Sequence, residues 1–573
     1  ASLAYRTPMK CFSAILRWGL PTIAGIGGSL LALPGMAAER IEFFYGPFEI
    51  AVQVDDIQHF ADTGQVQGSL RPVAQRLSPD QRQRLQEVIN RPFPLSVVAV
   101  GELTYSPVGI RLLEQLGELI QTNDRRSGFS ALRASLTLAS TQEHGLTLMR
   151  ALQQFPLETI QLNYGLAQRL LGESQAFFQQ RQVVLTALEA QVRAEPSATL
   201  VQTPEQSGPL TWERRTLQFE NPLRQTQPVA DLYLPKVTVP PGSLPVVVIS
   251  HGAASDRRAL AYVATHLASH GYAAVMLEHE DNGAQFEQFL SGMGQPPDPV
   301  TLISRPRDVT AVLDALEARA QSDPSLGQLN LSSVGVVGQS LGGYTALAVA
   351  GATLNLEALR QGCPSPTQSD ISLNLSLLAQ CELLSLAIVP SSLRDQRVSS
   401  AIAISPVTSR IFGEAGLSQV EIPVMVIAGT DDFLTPALPE QIQPFDWIAS
   451  PEKYLVVVEG ATHFSFLANN TSGGVLPLPA GFYGPDVSLA HPYLKGLSAA
   501  FFDRYQRGQA AAANYLSQSY LDTFVQDPFR ALIVQELPDS ARAALPAGPK
   551  ASDPPAKAPK PVCKRRGMGC FQR

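Results

Sequence analysis

Residues 334–344, Val-Gly-Val-Val-Gly-Gln-Ser-Leu-Gly-Gly-Tyr, constrain this chain more than any other stretch. An apolar run, Val334 to Val337, leads into Gly338-Gln-Ser340-Leu-Gly342, and a helix-forming run, Leu341 to Ala350, follows at once. A buried strand that turns directly into a helix must pivot on one residue, and that residue is Ser340. Gly338 and Gly342 keep side chains out of the crowded pivot, so the Ser340 Oγ is left exposed above a sheet edge. The helix behind it contributes free backbone N–H groups and the positive end of its dipole. The pattern predicts a strand–elbow–helix unit carrying a nucleophilic serine.

A nucleophilic serine needs a base and a group that orients the base. Both candidates follow Ser340 in the chain. The apolar strand Pro423-Val-Met-Val-Ile-Ala428 runs into Gly429-Thr-Asp-Asp-Phe-Leu-Thr-Pro436, which places two acids on the loop after a buried strand. Asp432 is the expected carboxylate and Asp431 the runner-up. The next strand, Tyr454-Leu-Val-Val-Val-Glu459, is followed by Gly460-Ala-Thr-His463, which puts His463 at the same sheet edge. The oxyanion donors are expected to be backbone N–H groups. One belongs to Ala253, after the strand Pro245-Val-Val-Val-Ile-Ser250 and His251-Gly252, and the other to Leu341, the residue after the nucleophile. His251 precedes the serine on a different strand and is expected to shape the loop.

These segments resemble α/β-hydrolases of the platelet-activating-factor acetylhydrolase and dienelactone-hydrolase group. Ile249-Ser-His-Gly252, Val275-Met-Leu-Glu-His-Glu-Asp281 and Arg305-Pro-Arg-Asp-Val309 carry the likeness beyond the elbow, over roughly residues 210–507. The resemblance implies a Ser-Asp-His triad, a carboxylic-ester substrate of short-acyl or phospholipid-like kind, and no cofactor. One departure stands out. Plasma-type acetylhydrolases carry the acid after the strand that follows the nucleophile, but here the matching loop reads Ala401-Ile-Ala-Ile-Ser405-Pro406. The carboxylate is then expected one strand later, at Asp432, as in cutinase-like and dienelactone-type esterases.

A hydrophobic content of 45% with 16% charged residues describes an ordinary globular chain, and 573 residues leave room for more than one domain. The formal charge of −7 is unevenly placed, because both ends are basic and the region between them is acidic. An acidic core argues against nucleic acid as a partner. Residues 1–37 read as a cleaved secretory signal, with Lys10 and Arg17 before an apolar stretch and Gly35-Met-Ala37 as a small-residue cleavage site. A secreted or periplasmic protein is expected, with a membrane anchor the weaker alternative. Cys363 and Cys381 would close a loop of about 18 residues if they pair, and free thiols are the alternative. Cys563 and Cys570 match no zinc spacing, so no metal is expected.

Residues 38–205 show apolar residues at helical spacing in Asp80–Ile89, Val108–Ile120 and Ile160–Val192, with Ser78-Pro-Asp-Gln as a capped helix start. They read as an all-helical domain similar to one that precedes α/β-hydrolases in cyanobacteria. From residue 206 to 544 strands alternate with helices, implying a mostly parallel sheet covered on both faces. Residues 353–397 are an insertion placed to cap the nucleophile, Ala510–Gln526 reads as a further helix, and residues 545–573 form a basic, disordered tail. The expected protein is a serine esterase or lipase acting on a small-molecule or lipid ester, with contact to a membrane surface compatible with the capped site. The sequence leaves the oligomeric state open. The rival readings are a non-catalytic envelope scaffold, or a peptidase or thioesterase on the same triad.

Overall fold

The computed structural model describes residues 37–546 apart from 46–47, 76, 144, 194–199, 364–370, 470–477, 479–481 and 525–526. The expected signal, the basic tail and the last two cysteines lie outside the described residues. The main sheet contains β5 (Trp212–Gln218), β6 (Val229–Pro235), β7 (Leu244–Ser250), β8 (Ala273–Glu278) and β9 (Leu329–Gln339). It continues with β10 (Val398–Ile404), β11 (Val424–Gly429), β12 (Lys453–Glu459) and β13 (Arg530–Val534). Its nine strands run in the order β13-β12-β11-β10-β9-β7-β8-β6-β5. The block from β8 to β12 is parallel, and β5, β6 and β13 are antiparallel at the two edges.

The parallel strands are apolar throughout because helices cover both faces. Alternate residues serve opposite sides: Ala401, Ala403, Val424 and Val426 enter one core, while Ile402, Ile404, Met425 and Ile427 enter the other. The strand order reverses at β7, which pairs with β8 on one side and β9 on the other. In open parallel sheets the crevice beyond the strand ends at such a reversal is where ligands bind. Register sets Ser250 beside Gly338, so the loops leaving β7 and β9 begin side by side.

The N-terminal region departs from the all-helical expectation. β1 (Arg40–Tyr45), β2 (Phe48–Gln53), β3 (Ile120–Gln121) and β4 (Thr159–Leu162) form a four-stranded sheet in the order β2-β1-β4-β3. The strands are short, and β4 runs into the helix Tyr164–Val192 with only Asn163 between them, so one apolar pattern covers two elements. The Asn163 side chain marks the boundary by accepting the Leu166 N–H at 3.1 Å. At Pro79–Asn90 the Ser78 capping box forms as expected.

The last turns of the helix Tyr164–Val192 bury Val184, Leu185, Leu188 and Val192 in the main core, together with Leu532 and Val534 of β13. The helix expected over Ala510–Gln526 is instead three short turns, Ala510–Tyr515, Gln518–Leu521 and Asp522–Phe524. Tyr515, Tyr520 and Leu521 from these turns and Leu516 between them all enter the core that contains Phe501 and Phe502, and packing overrides helix propensity there.

The insertion at 353–397 is tied down at several points. Thr353 bridges to Ser392 at its base, and Cys363 is disulfide-bonded to Cys381. The buried Glu440 carboxylate accepts from Asn374 Nδ2 at 2.5 Å and Gln380 Nε2 at 3.0 Å, and from the amides of Thr408 and Ser409 at 2.7 and 2.9 Å. Arg111, on the helix Pro107–Leu119, pairs with Glu382 and links the insertion to the N-terminal region. Among the described residues no helix is long and apolar enough to cross a membrane.

Candidate active site

Ser340 sits at φ 58°, ψ −120° between β9 and the helix Leu341–Ala350. That backbone region strains an L-residue by roughly 1–3 kcal/mol and persists only where the surroundings enforce it. The enforcement is visible. A Cβ on Gly342 would lie 2.0 Å from the Ser250 carbonyl oxygen, and one on Gly338 would lie 1.9 Å from that of Gly342. The Ser340 N–H is held by the Ile404 carbonyl at 2.9 Å. The turn is therefore packed directly against β7 and β10.

The structure separates the two adjacent acids. Asp432 is 4% exposed, and its Oδ2 accepts from His463 Nδ1 at 2.7 Å. Its Oδ1 accepts the N–H groups of Leu434 and Thr435 at 3.0 and 2.8 Å, and the Thr435 hydroxyl lies 2.8 Å from Oδ2. A carboxylate with this many donors is oriented as well as charged. Asp431 points elsewhere: its side chain is 55% exposed and pairs with Arg181 at 3.3 Å. Thr435 was not singled out from sequence, although its place three residues after an Asp is a turn signal.

His463 is brought beside the elbow, where its carbonyl accepts from Gln339 Nε2 at 3.0 Å. With Nδ1–H on Asp432, its Nε2 is left as the acceptor. Among the described residues no hydrogen bond joins that nitrogen to Ser340 Oγ, a contact that often tightens only with substrate bound. On the other side of the serine, a Cβ on Gly252 would come within 3.1 Å of Ser340 Cβ. The Ala253 N–H thus sits in the loop against Ser340. The N–H of Leu341, in the first turn of its helix, has no intrahelical acceptor.

A second serine–histidine–aspartate chain lies behind this loop. Ser250 Oγ is 2.7 Å from His279 Nε2, and His279 Nδ1 is 2.8 Å from Asp308 Oδ2. All three are buried, Ser250 within β7 with no exposed face, whereas Ser340 is partly exposed at its elbow. No substrate carbonyl can reach Ser250, so this chain is scaffold. Arg224 and Asn221 complete it by donating to Asp308 at 3.2 and 2.8 Å.

The motif Arg305-Pro-Arg-Asp308 gains a physical reading from the same region. Pro306 lies inside the helix Thr301–Ala320 and has no N–H, so the Leu302 carbonyl one turn back is released. It accepts the Tyr344 hydroxyl at 2.7 Å and ties this helix to the one behind Ser340. Arg305 is fully buried and donates to Asp281 through Nε at 2.8 Å and to the His251 carbonyl through Nη1 at 2.7 Å.

Burial holds the pKa values of His251 and His279 well below the ordinary histidine value, helped by the Arg305 charge beside both. Burial likewise lowers His266, to about 3. Asp308 is pushed up to about 6 by burial against the pull of Arg224 and Asn221. Histidines kept neutral in the folded state resist protons that the unfolded chain takes up near 6.5, so their stability contribution is full above that pH and lost below it. Asp308 works the opposite way between about 6 and its ordinary value, offsetting part of the loss. The expected net result is a loss of stability on going from pH 7 to 5.5, to be read from urea unfolding at the two pH values. A flat profile would contradict neutral burial of these rings.

Among the described residues no group of three or more His, Cys, Asp or Glu side chains is placed to hold a metal ion. The family model described as alpha/beta hydrolase of unknown function matches residues 37–163, and that for platelet-activating factor acetylhydrolase, isoform II, matches residues 225–300. A curated protein described as "Hydrolyase poxO" from Penicillium oxalicum is 37% identical over 134 residues, which is 23% of this chain and 29% of that protein. The protein of the same description from Penicillium oxalicum strain 114-2 / CGMCC 5302 matches equally. The chain thus spans less than a third of the length of the curated relatives it matches. With a parallel sheet whose strand order reverses at β7 and two family models matching parts of the chain, the fold is that of an α/β-hydrolase, and over residues 225–300 the chain is similar to the platelet-activating-factor acetylhydrolases.

Proposed function

We propose that this hydrolase is an exported serine esterase cleaving carboxylic esters of short-acyl or phospholipid-like kind. One observation carries the reading: a strained, partly exposed serine stands on an elbow whose Gln339 donates to the carbonyl of His463, and the Nδ1 of that histidine is held on a buried aspartate that accepts several hydrogen bonds. Ser340 Oγ attacks the ester carbonyl while His463 Nε2 takes its proton. The oxyanion is bound by the N–H groups of Ala253 and Leu341, and His463 returns the proton to the departing alcohol. Water, deprotonated by the same imidazole, then releases the acid and restores Ser340. Asp432 holds the imidazole tautomer and stabilises its cation. Support for an apolar acyl site comes from Phe433 and Phe464, the neighbours of Asp432 and His463, which share an apolar cluster with Ala259, Leu467 and Tyr483. The Cys363–Cys381 disulfide supports an oxidising compartment.

The test is turnover of p-nitrophenyl esters of rising chain length, beside phospholipids, thioesters and a peptide panel, with fluorophosphonate labelling of the same preparation. Ester turnover with labelling at Ser340 is expected. Preference for thioesters or peptides would move the substrate class, and an inert, unlabelled, folded protein would favour the scaffold reading.

A further inference from the structure

The loop that carries Ala253 is gripped from below by a side chain more than fifty residues away. Arg305, in the helix Thr301–Ala320, is fixed on Asp281 by two contacts of Nε at 2.8 and 3.0 Å and one of Nη2 at 2.7 Å. The rest of its fork is spent on backbone: Nη1 donates to the His251 carbonyl at 2.7 Å and Nη2 to the Gly252 carbonyl at 3.2 Å. The Gly252 carbonyl also accepts from His251 Nδ1 at 2.6 Å. The tautomer of His251 is set by its other nitrogen, because Nε2 accepts the His279 N–H at 3.0 Å. Finally, the Asp281 carbonyl takes the Ala254 N–H at 2.9 Å and holds Ala254 at φ 53°.

The Gly252 carbonyl and the Ala253 N–H belong to one planar peptide group, in which the two bonds point in opposite directions. Two donors on that oxygen therefore fix where the N–H points, away from the guanidinium. They also polarise the peptide and strengthen it as a donor. We propose that Arg305 is a positioning residue for oxyanion stabilisation, holding the Gly252–Ala253 peptide so that its N–H meets the developing negative charge. This inference rests on the esterase reading above. A lysine cannot replace the fork, because a single ammonium does not reach one carboxylate and two divergent carbonyls in one plane.

The test uses the full chain with p-nitrophenyl acetate as substrate and a trifluoromethyl ketone as tetrahedral analogue. Arg305→Lys keeps a cation on Asp281 and is expected to fold. The double variant Arg305→Met, Asp281→Leu removes both buried charges together and leaves neither unpaired. In both, kcat is expected to fall by about 10–100-fold with KM within about threefold, since one donor is misaimed rather than lost. The inhibition constant of the ketone is expected to rise by the same factor as kcat falls. A merely structural role would lower thermal stability without that parallel. Folded variants that turn over and bind the ketone like the parent would overturn the proposal alone. A parent protein that neither turns over nor labels at Ser340 would overturn the esterase reading, and this inference with it.

Discussion

Replacing Ser340 by alanine is expected to reduce ester turnover by on the order of 10⁶ and to abolish labelling by a fluorophosphonate, with little change in stability. The loss is large because the serine, histidine and aspartate act as one unit. Without the Oγ no acyl-enzyme forms, and the imidazole has nothing to activate but water. Stability is expected to hold because alanine has the same Cβ as serine and tolerates φ 58° no worse. The control is Ser250→Ala, a serine whose Oγ lies at hydrogen-bond distance from His279. It removes a buried hydrogen bond and should cost about 1 kcal/mol of stability while labelling persists. Labelling retained in Ser340→Ala would place the reactive serine elsewhere.

Asp432→Asn is expected to lower kcat by roughly 10⁴, because an amide can present an N–H to His463 Nδ1 and so favour the wrong tautomer. Asp431→Asn is expected to stay within a few-fold of the parent. The difference rests on burial and partners: Asp432 meets the imidazole at 2.7 Å inside the protein, whereas Asp431 is half exposed and faces Arg181. Charge lost from an exposed pair of that kind costs at most about 1 kcal/mol. Parallel kcat and KM measurements on the two variants decide the matter, and a reversed order of effects would reassign the carboxylate to Asp431.

The candidate site was legible because each of its residues follows a buried parallel strand. Such strands read as uninterrupted apolar runs, and the residues just past them fall at one sheet edge whatever the loops do. The runs before Ser340, Asp432, His463 and His251 are all of this type. The N-terminal sheet was missed for the opposite reason. Its strands are two to six residues long, and β4 runs into a long helix across a single residue. β13 was missed because Ala531-Leu-Ile-Val534 is too short to be told from a buried helix turn by periodicity.

The sequence by itself determined the strand–elbow–helix at Ser340, the order of serine, acid and base, and the parallel character of the sheet, since these follow from local sterics and apolar patterning. Only the tertiary structure decided which of two adjacent aspartates faces His463, because a one-residue difference is settled by what surrounds the loop. It also decided that Ser250, His279 and Asp308 form a sealed chain rather than a site, since burial depends on the helices packed over β7 and β9. Arg305 owes its place to the same cause. Its three partners, Asp281, His251 and Gly252, lie 24 to 54 residues away in the chain and meet only because β7, β8 and the helix Thr301–Ala320 pack together at the point where the strand order reverses.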